Sequence, residues 1–317
     1  MKPQFDSIIT VTLNPTIDRI LEVPGFKIGS HLQGRQRLRE PAGKAINVSR
    51  ALSELGVKST AIGWVGMNAF DLFHEAMRKV GVKACFLPIT GATRENITII
   101  DPNTHTETHI RDAGPKVDDA DVRRLTDLLQ NVVTAESLVI FTGSLPPGLP
   151  LHAWENLLQT CIDRGARVAV DVSGPPLRVA SEKQLWMIKP NEFELGELLG
   201  TRLPHEQAVV KAGRELATRY PFVLITLGRK GAYCFAEGRT LHARAELPAD
   251  RVRSTVGCGD AMLAGFLAGL LSDGTTDTAL REGVAISAAA AATEEPARFE
   301  RAMVAQLREA VIVRPVD

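Results

Sequence analysis

Residues 254–271 read STVGCGDAMLAGFLAGLL, a glycine-punctuated turn running directly into an apolar helix. Gly257 and Gly259 let the backbone turn tightly, so that successive N–H groups can converge on one concavity. A helix N-terminus carries unpaired donors and a partial positive charge, and therefore holds phosphate well. Asp260, read as the first helical position, can take a proton from a hydroxyl placed beside that anion site. Gly257, Cys258 and Gly259 are thus candidate anion-hole residues and Asp260 the candidate base. A plain glycine turn capped by Asp260 fits the same residues. The third glycine of a dinucleotide fingerprint is missing, and no GxxxxGK[ST] phosphate loop occurs anywhere in the chain.

Upstream of this segment strands and helices alternate. Residues 7–13 (SIITVTL) form a β-branched run closed by Asn14-Pro15, which predicts a buried strand and a turn. Helices are expected over 47–55, 70–80, 119–133 and 151–163. Strands are expected over 59–65, 137–142, 167–172, 185–188 and 222–227. Alternation at these lengths implies an α/β fold with a parallel sheet covered on both faces. Two stretches break the rhythm. Residues 20–40 are polar and glycine-punctuated, and ENITIID and TETHIR flank the turn Asp101-Pro102-Asn103. They predict a small antiparallel flap on the main sheet, although plain edge hairpins fit as well. Beyond residue 260 the pattern is helical, ending in a helix near 301–311. No repeat, linker or low-complexity tail divides the chain, so 1–317 is expected to be one domain with lid segments about 19–41 and 92–112 inserted.

The totals exclude several classes. With 37 basic and 37 acidic residues, no overall charge favours nucleic acid or an anionic membrane, and an anionic substrate would need a local basic cluster. Four dispersed cysteines show no metal or redox spacing and suggest a reducing compartment. No secretory leader is recognisable and no apolar run approaches bilayer length, so the expectation is a cytoplasmic protein. The seven histidines show no ligand spacing.

The 254–260 segment resembles the C-terminal signature of the ribokinase-like, or phosphofructokinase-B, carbohydrate kinases. Thr12-Leu13-Asn14-Pro15-Thr16-Ile17-Asp18 is similar to the opening motif of the branch containing 1-phosphofructokinase, tagatose-6-phosphate kinase and the minor 6-phosphofructokinase. Ala42-Gly43-Lys44-Ala45-Ile46-Asn47-Val48 resembles that branch's glycine-rich signature. Thr142-Gly143-Ser144-Leu145-Pro146-Pro147-Gly148, Lys189-Pro190-Asn191 and Thr226-Leu227-Gly228-Arg229-Lys230-Gly231 follow in the expected order. The resemblance covers nearly the whole chain. It implies a three-layer α/β/α sandwich with a mostly parallel sheet and a small β-sheet lid.

The resemblance also distributes roles. Asp18, Gly43 and Asn47 would meet sugar hydroxyls, with Asn96 beside them. Lys44 and Arg94 would meet a phosphate that the sugar already carries, the arginine fork suiting two phosphate oxygens at once. Lys189, Asn191, Thr226, Gly228 and Gly231 would seat the nucleotide. Glu194 would act on Mg²⁺ through water, although Asn191 and Glu194 also spell a capping box that needs no ligand. Cofactors would be ATP and Mg²⁺, the partner a small sugar phosphate, and the assembly a homodimer through the lid. Lys44 with the Leu13-Asn14-Pro15 opening favours fructose 1-phosphate as acceptor; tagatose 6-phosphate, fructose 6-phosphate and a non-catalytic sugar-phosphate sensor stay open. Three positions depart from the family pattern. Ala45 replaces glycine and narrows the sugar side, Ala261 replaces a common serine, and Cys258 replaces alanine. At a helix N-terminus the Cys258 thiol is expected to be acidified and prone to oxidation.

Overall fold

The computed structural model describes residues 5–317. In chain order the elements begin with β1 (Ser7–Thr12), β2 (Thr16–Glu22), β3 (Arg35–Ala42), α1 (Lys44–Glu54), β4 (Thr60–Gly66), α2 (Phe70–Lys79) and β5 (Lys83–Ile89). Next come β6 (Arg94–Asp101), β7 (Thr106–Ile110), α3 (Asp119–Val132), β8 (Ser137–Thr142), α4 (Leu151–Asp163), β9 (Arg167–Asp171), α5 (Pro175–Ala180) and β10 (Met187–Ile188). Then follow α6 (Glu192–Leu199), α7 (Glu206–Ala217), β11 (Phe222–Thr226), β12 (Ala232–Ala236) and β13 (Arg239–Arg244). The chain closes with α8 (Cys258–Asp273), α9 (Thr276–Ala291), α10 (Arg301–Ala310) and β14 (Ile312–Pro315).

Ten strands form one sheet in the order β14-β13-β12-β11-β10-β9-β8-β1-β4-β5. The pairs from β11 through β5 are parallel, and the β11–β12–β13–β14 edge is antiparallel. Side chains alternate across a strand, so an unbroken apolar strand must be covered twice. β8 shows this directly. Val139 and Phe141 join Trp154 and Leu157 of α4 on one face, whereas Leu138 and Ile140 join Leu52 of α1 and Phe266 of α8 on the other. The result is the three-layer sandwich that the alternating pattern implied.

The remaining four strands form a separate sheet, β3-β2-β6-β7. β2/β3 and β6/β7 are antiparallel, and β2 and β6 run parallel between them. Both interruptions of the rhythm therefore fold into one small sheet, and β2 starts at Thr16, with three residues between it and the end of β1.

Elsewhere the boundaries shift. α1 begins at Lys44 and not at 47, because Gly43, with φ 122°, serves as its N-cap. The expectation of an all-helical C-terminus is corrected by β14, a short edge strand whose Pro315 is tolerated because an edge needs fewer ladder donors. β12, β13 and α7 carry no counterpart among the sequence expectations.

The parallel strands all end on the same side of the sheet. There lie Asn14, Ser144 and Lys189, after β1, β8 and β10, with Asp171 and Thr226 at the ends of β9 and β11. Gly63 fixes the approach of β4 to β1: its φ is 147°, and an added Cβ would stand 1.8 Å from the Thr12 carbonyl oxygen. Gly63→Ala is expected to cost about 3 kcal/mol or more by urea denaturation, through forced separation of β1 and β4 just below this cluster.

Candidate active site

Gly257 adopts the left-handed conformation (φ 78°, ψ −4°) and caps α8, whose first turn receives no side-chain cap. Asp260 is the third helical residue, not the first. The Cys258 N–H makes only a long 3.4 Å bond to the Thr255 carbonyl. The start of α8 thus keeps donors available to an anion. Gly257 is held against the chain behind it, since a Cβ there would lie 2.5 Å from the Ala297 nitrogen.

Asp260 is 3% exposed. Its Oδ2 accepts from Asn47 Nδ2 at 2.9 Å, which fixes the carboxylate by a bond from α1 to α8. Burial raises its pKa; Lys44, Asn47 and Lys189 pull it down, Asp171 pushes it up, and the outcome is about 7. A carboxylate poised there can both exist ionised and receive a proton. Cys258 departs from its expected acidity. Burial, reinforced by the Asp260 carboxylate, pushes the thiol up to about 11. Its S–H points 3.7 Å from the Ser254 carbonyl. The positive helix end does not outweigh lost solvation, so the thiol stays protonated.

Asp171, at the C-terminal end of β9, is the residue sequence reasoning missed. It is 1% exposed, and its Oδ1 lies 3.2 Å from Lys189 Nζ and 3.4 Å from Lys44 Nζ. Burial alone would raise its pKa, yet the two ammonium groups overrule burial and hold it low. Thr142 Oγ1 donates to the other oxygen at 3.3 Å. Asp171 raises the Lys44 pKa despite burial, with Asp260 and Glu194 adding to it. The structure therefore sets Lys44 among Asp171, Asp260 and Glu194. The groups in the field of Arg94 are Asp18, Arg111 and Asp112. The two cations expected to share one phosphate stand in different surroundings. The signal for Asp171 was present in RVAVD, an acid ending a buried strand, where open α/β sheets gather ligands.

On the small-sheet side, Asn96 Nδ2 donates to Asp18 Oδ1 at 3.2 Å. Burial raises the Asp18 pKa, partly countered by Asn96 and by Arg111. Arg94 donates to the carbonyls of Asn14 (2.9 Å), Asp112 (3.1 Å) and Pro15 (3.3 Å) and to Ser144 Oγ (3.4 Å). Asn14 Nδ2 in turn donates to the Ala113 carbonyl at 3.0 Å. The Oδ1 atoms of Asn14, Asn47 and Asn96 are buried without partners. Orphaned buried acceptors are rare, and two of these three belong to side chains that donate to the carboxylates of Asp260 and Asp18. Gly43 approaches the Pro15 Cα, which a Cβ would meet at 3.3 Å. Ala45 is buried, and Ala261 packs inside the α1–α8–α9 cluster, so a hydroxyl there would face apolar neighbours.

Opposite lies a second group. Thr226 pairs with Asn191 across the sheet, bringing the Lys189-Pro190-Asn191 and Thr226–Gly231 corners together. The capping box forms as its sequence spells it: Asn191 Oδ1 accepts from the Phe193 and Glu194 amides, and Glu194 Oε2 accepts from the Asn191 amide, all at 2.9 Å. Gly228 faces open space, whereas a Cβ on Gly231 would meet the Ala243 carbonyl at 1.9 Å, so close strand packing requires that glycine. Lys189 Nζ lies 3.4 Å from the position of a Cβ on Gly259, which sets it beside the anion turn. Among the described residues no group of three or more His, Cys, Asp or Glu could hold a metal ion by itself.

Removing Asp171 tests the charge cluster. Asp171→Asn leaves Lys189 buried without its counter-ion and is expected to destabilise the protein by about 3–5 kcal/mol in denaturant titrations. An unchanged midpoint would show that the lysines find other partners.

The family model described as "pfkB family carbohydrate kinase" matches residues 9–300. The chain is 33% identical over 289 residues to the 1-phosphofructokinase of Bacillus subtilis, covering 91% of this chain and 93% of that one. It is 30% identical to the 1-phosphofructokinase of Borreliella burgdorferi, covering 95% and 97%. Phosphofructokinase-2 from Escherichia coli, solved with potassium, superposes with a TM-score of 0.89 at 25% identity, covering 96% of this chain and 98% of that one. A possible 1-phosphofructokinase from Thermotoga maritima gives 0.84 at 28% identity, covering 98% and 100%. The chain belongs to the pfkB family of carbohydrate kinases and is an ATP-using phosphotransferase whose acceptor is an alcohol group of a sugar phosphate.

Proposed function

We propose that this enzyme transfers the terminal phosphoryl group of ATP to the free primary hydroxyl of fructose 1-phosphate, giving fructose 1,6-bisphosphate and ADP. The observation that carries the chemistry is Asp260, a buried carboxylate with a pKa near 7 at the uncapped start of α8. Curated relatives named 1-phosphofructokinase favour the acceptor.

Asn47 holds Asp260 toward the acceptor hydroxyl. As the hydroxyl oxygen bonds to the terminal phosphorus, Asp260 takes its proton, and the bond from that phosphorus to the ADP oxygen breaks. The amides of Gly257, Cys258, Gly259 and Asp260 stabilise charge on the transferring group, with Lys44 beside it; positioning and electrostatics do most of the work in this class of reaction. Lys189, Asn191, Thr226, Gly228 and Gly231 seat the nucleotide. Mg²⁺, when bound, neutralises polyphosphate charge, with Glu194 reaching it through water. Asp18, Gly43, Asn47 and Asn96 hold the sugar, and Arg94 its existing phosphate.

The whole chain acts as one catalytic unit, with the small sheet as a lid that excludes water from the cleft. That sheet's connections expose Ile28 (93%) and Leu32 (42%), and β7 ends in an exposed Ile110, which supports a homodimer through the lid. A tetrameric inhibited form is known for phosphofructokinase-2 of Escherichia coli. Four free thiols fit a reducing, cytoplasmic setting.

A coupled ADP-release assay against free and phosphorylated ketohexoses tests the acceptor; turnover confined to an unphosphorylated sugar would refute it. Asp260→Asn is expected to lower kcat by about 10²–10⁴-fold. The base must be ionised to act, so kcat/KM of the native enzyme should rise with pH through about 7. The folded-state pKa lies above the ordinary 3.8, so ionisation weakens the fold as pH rises from about 4 to about 7. The Asn variant should therefore gain Tm at about pH 8 and none below about pH 4. For the assembly, Ile28→Glu should shift a dimer to monomer in sedimentation velocity.

A further inference from the structure

A row of polar residues crosses the small sheet. Asp18 pairs with Glu40 of β3 on one side and with Asn96 of β6 on the other. The Ile97–Ile110 pairing of β6 with β7, continued by one residue, brings Arg111 beside Asn96. Directly opposed residues project from the same face, and the Asn96–Asp18 hydrogen bond marks that face. Arg94, two residues before Asn96, shares it and reaches Ser144 after β8, so the face looks onto the strand ends of the main sheet. The row ends in a guanidinium at the mouth of the sugar side.

The cations around this cleft are not equally available. Arg94 already donates to three main-chain carbonyls and one hydroxyl, which holds it rigidly but leaves little of its fork. Lys44 is shared with Asp171. Arg111 is exposed and makes no hydrogen bond or ion pair among the described residues. It stands close enough to influence both Asp18 and Arg94. Two guanidinium groups near each other repel, and a phosphate between them converts that repulsion into two attractions. A single half-committed arginine is a poor match for a dianion.

We propose that Arg111 is a specificity-determining residue of this enzyme, supplying with Arg94 the second cation that binds the phosphate already present on the acceptor sugar. The assignment rests on the sugar-phosphate kinase reading above and adds a residue that none of the family motifs contains. The exposed position lets Arg111 swing onto the ligand after it enters, while Arg94 stays fixed.

Full-length Arg111→Gln and Arg111→Lys are compared with the native enzyme in steady-state assays, using the ketohexose phosphate that the native enzyme turns over best. Loss of one charge-assisted contact should raise KM for that sugar phosphate by about 10- to 100-fold in the Gln variant. kcat and KM for ATP should stay within twofold, with the Lys variant intermediate. Arg111 is exposed, so Tm should not move. An unchanged KM for the sugar phosphate in a native-like Gln variant overturns the proposal. So does a KM defect that disappears as the pH is raised, because it would assign Arg111 to keeping Asp18 ionised. Absence of turnover by the native enzyme on every ketohexose phosphate refutes the kinase reading itself, and this assignment with it. Native turnover with an unaffected variant refutes this assignment alone.

Discussion

Three buried ionisable groups, Asp171, Lys189 and Asp260, pack together with the partly exposed Lys44 beside them, and the site depends on their mutual compensation. Asp171 is held ionised by two ammonium groups within 3.4 Å. Those lysines are then half-neutralised, so neither can draw Asp260 fully into the ionised state. Desolvation takes the remaining control and leaves Asp260 near neutrality. A base of ordinary acidity would be ionised but too weak to draw a proton from an alcohol; one far above neutrality would rarely be ionised. The compromise is set less by Asp260 itself than by how much positive charge Asp171 has already claimed.

The fold explains why these groups meet. Parallel strands expose their ends on one side only, and β9 and β10 lie next to one another in the centre of the sheet, where both faces are covered. Asp171 ends the first and Lys189 follows the second, so their pairing is a consequence of strand order. α1 and α8 pack against the same face through Val48, Leu52, Ala261 and Phe266. That contact carries Lys44 and Asn47 on one helix to the start of the other, where Asp260 stands. The apolar packing below is thus the scaffold for the polar geometry above.

This also explains what could be read from the chain. The 191–194 capping box and the hairpin around Asp101 are local, and each formed where its residues predicted, whereas the helix after the 254–260 turn begins two residues earlier than expected, at Cys258. β8 and α4 were bounded to the residue, because an apolar run and a helical period have sharp edges there. The charges of Lys44 and the acidity of Cys258 were not legible, since they depend on neighbours more than a hundred residues away or on burial. Asp171 was visible as an acid ending a buried strand, but its pairing with two lysines and the place of Arg111 in a row depend on strand order and strand register. The β12–β14 edge escaped because its strands are short and carry no periodic signal of their own.

Glu40 shows how the small sheet is joined to the catalytic turn. One oxygen of its carboxylate lies 3.1 Å from Arg50 of α1, and the other 3.5 Å from Arg298. Arg50 also donates to the Pro41 carbonyl. The segment bearing Arg298 is the one packed against Gly257 through Ala297. One carboxylate therefore ties the base of β3 to the helix carrying Asn47 and to the support of the anion turn. Asp18 stands directly opposite Glu40 in the β2–β3 ladder and is anchored with it. The far end of the same row has no such tether, and Arg111 is exposed there. The small sheet is therefore anchored at its β3 side, where Asp18 is held relative to Asp260 through Glu40, Arg50 and Asn47.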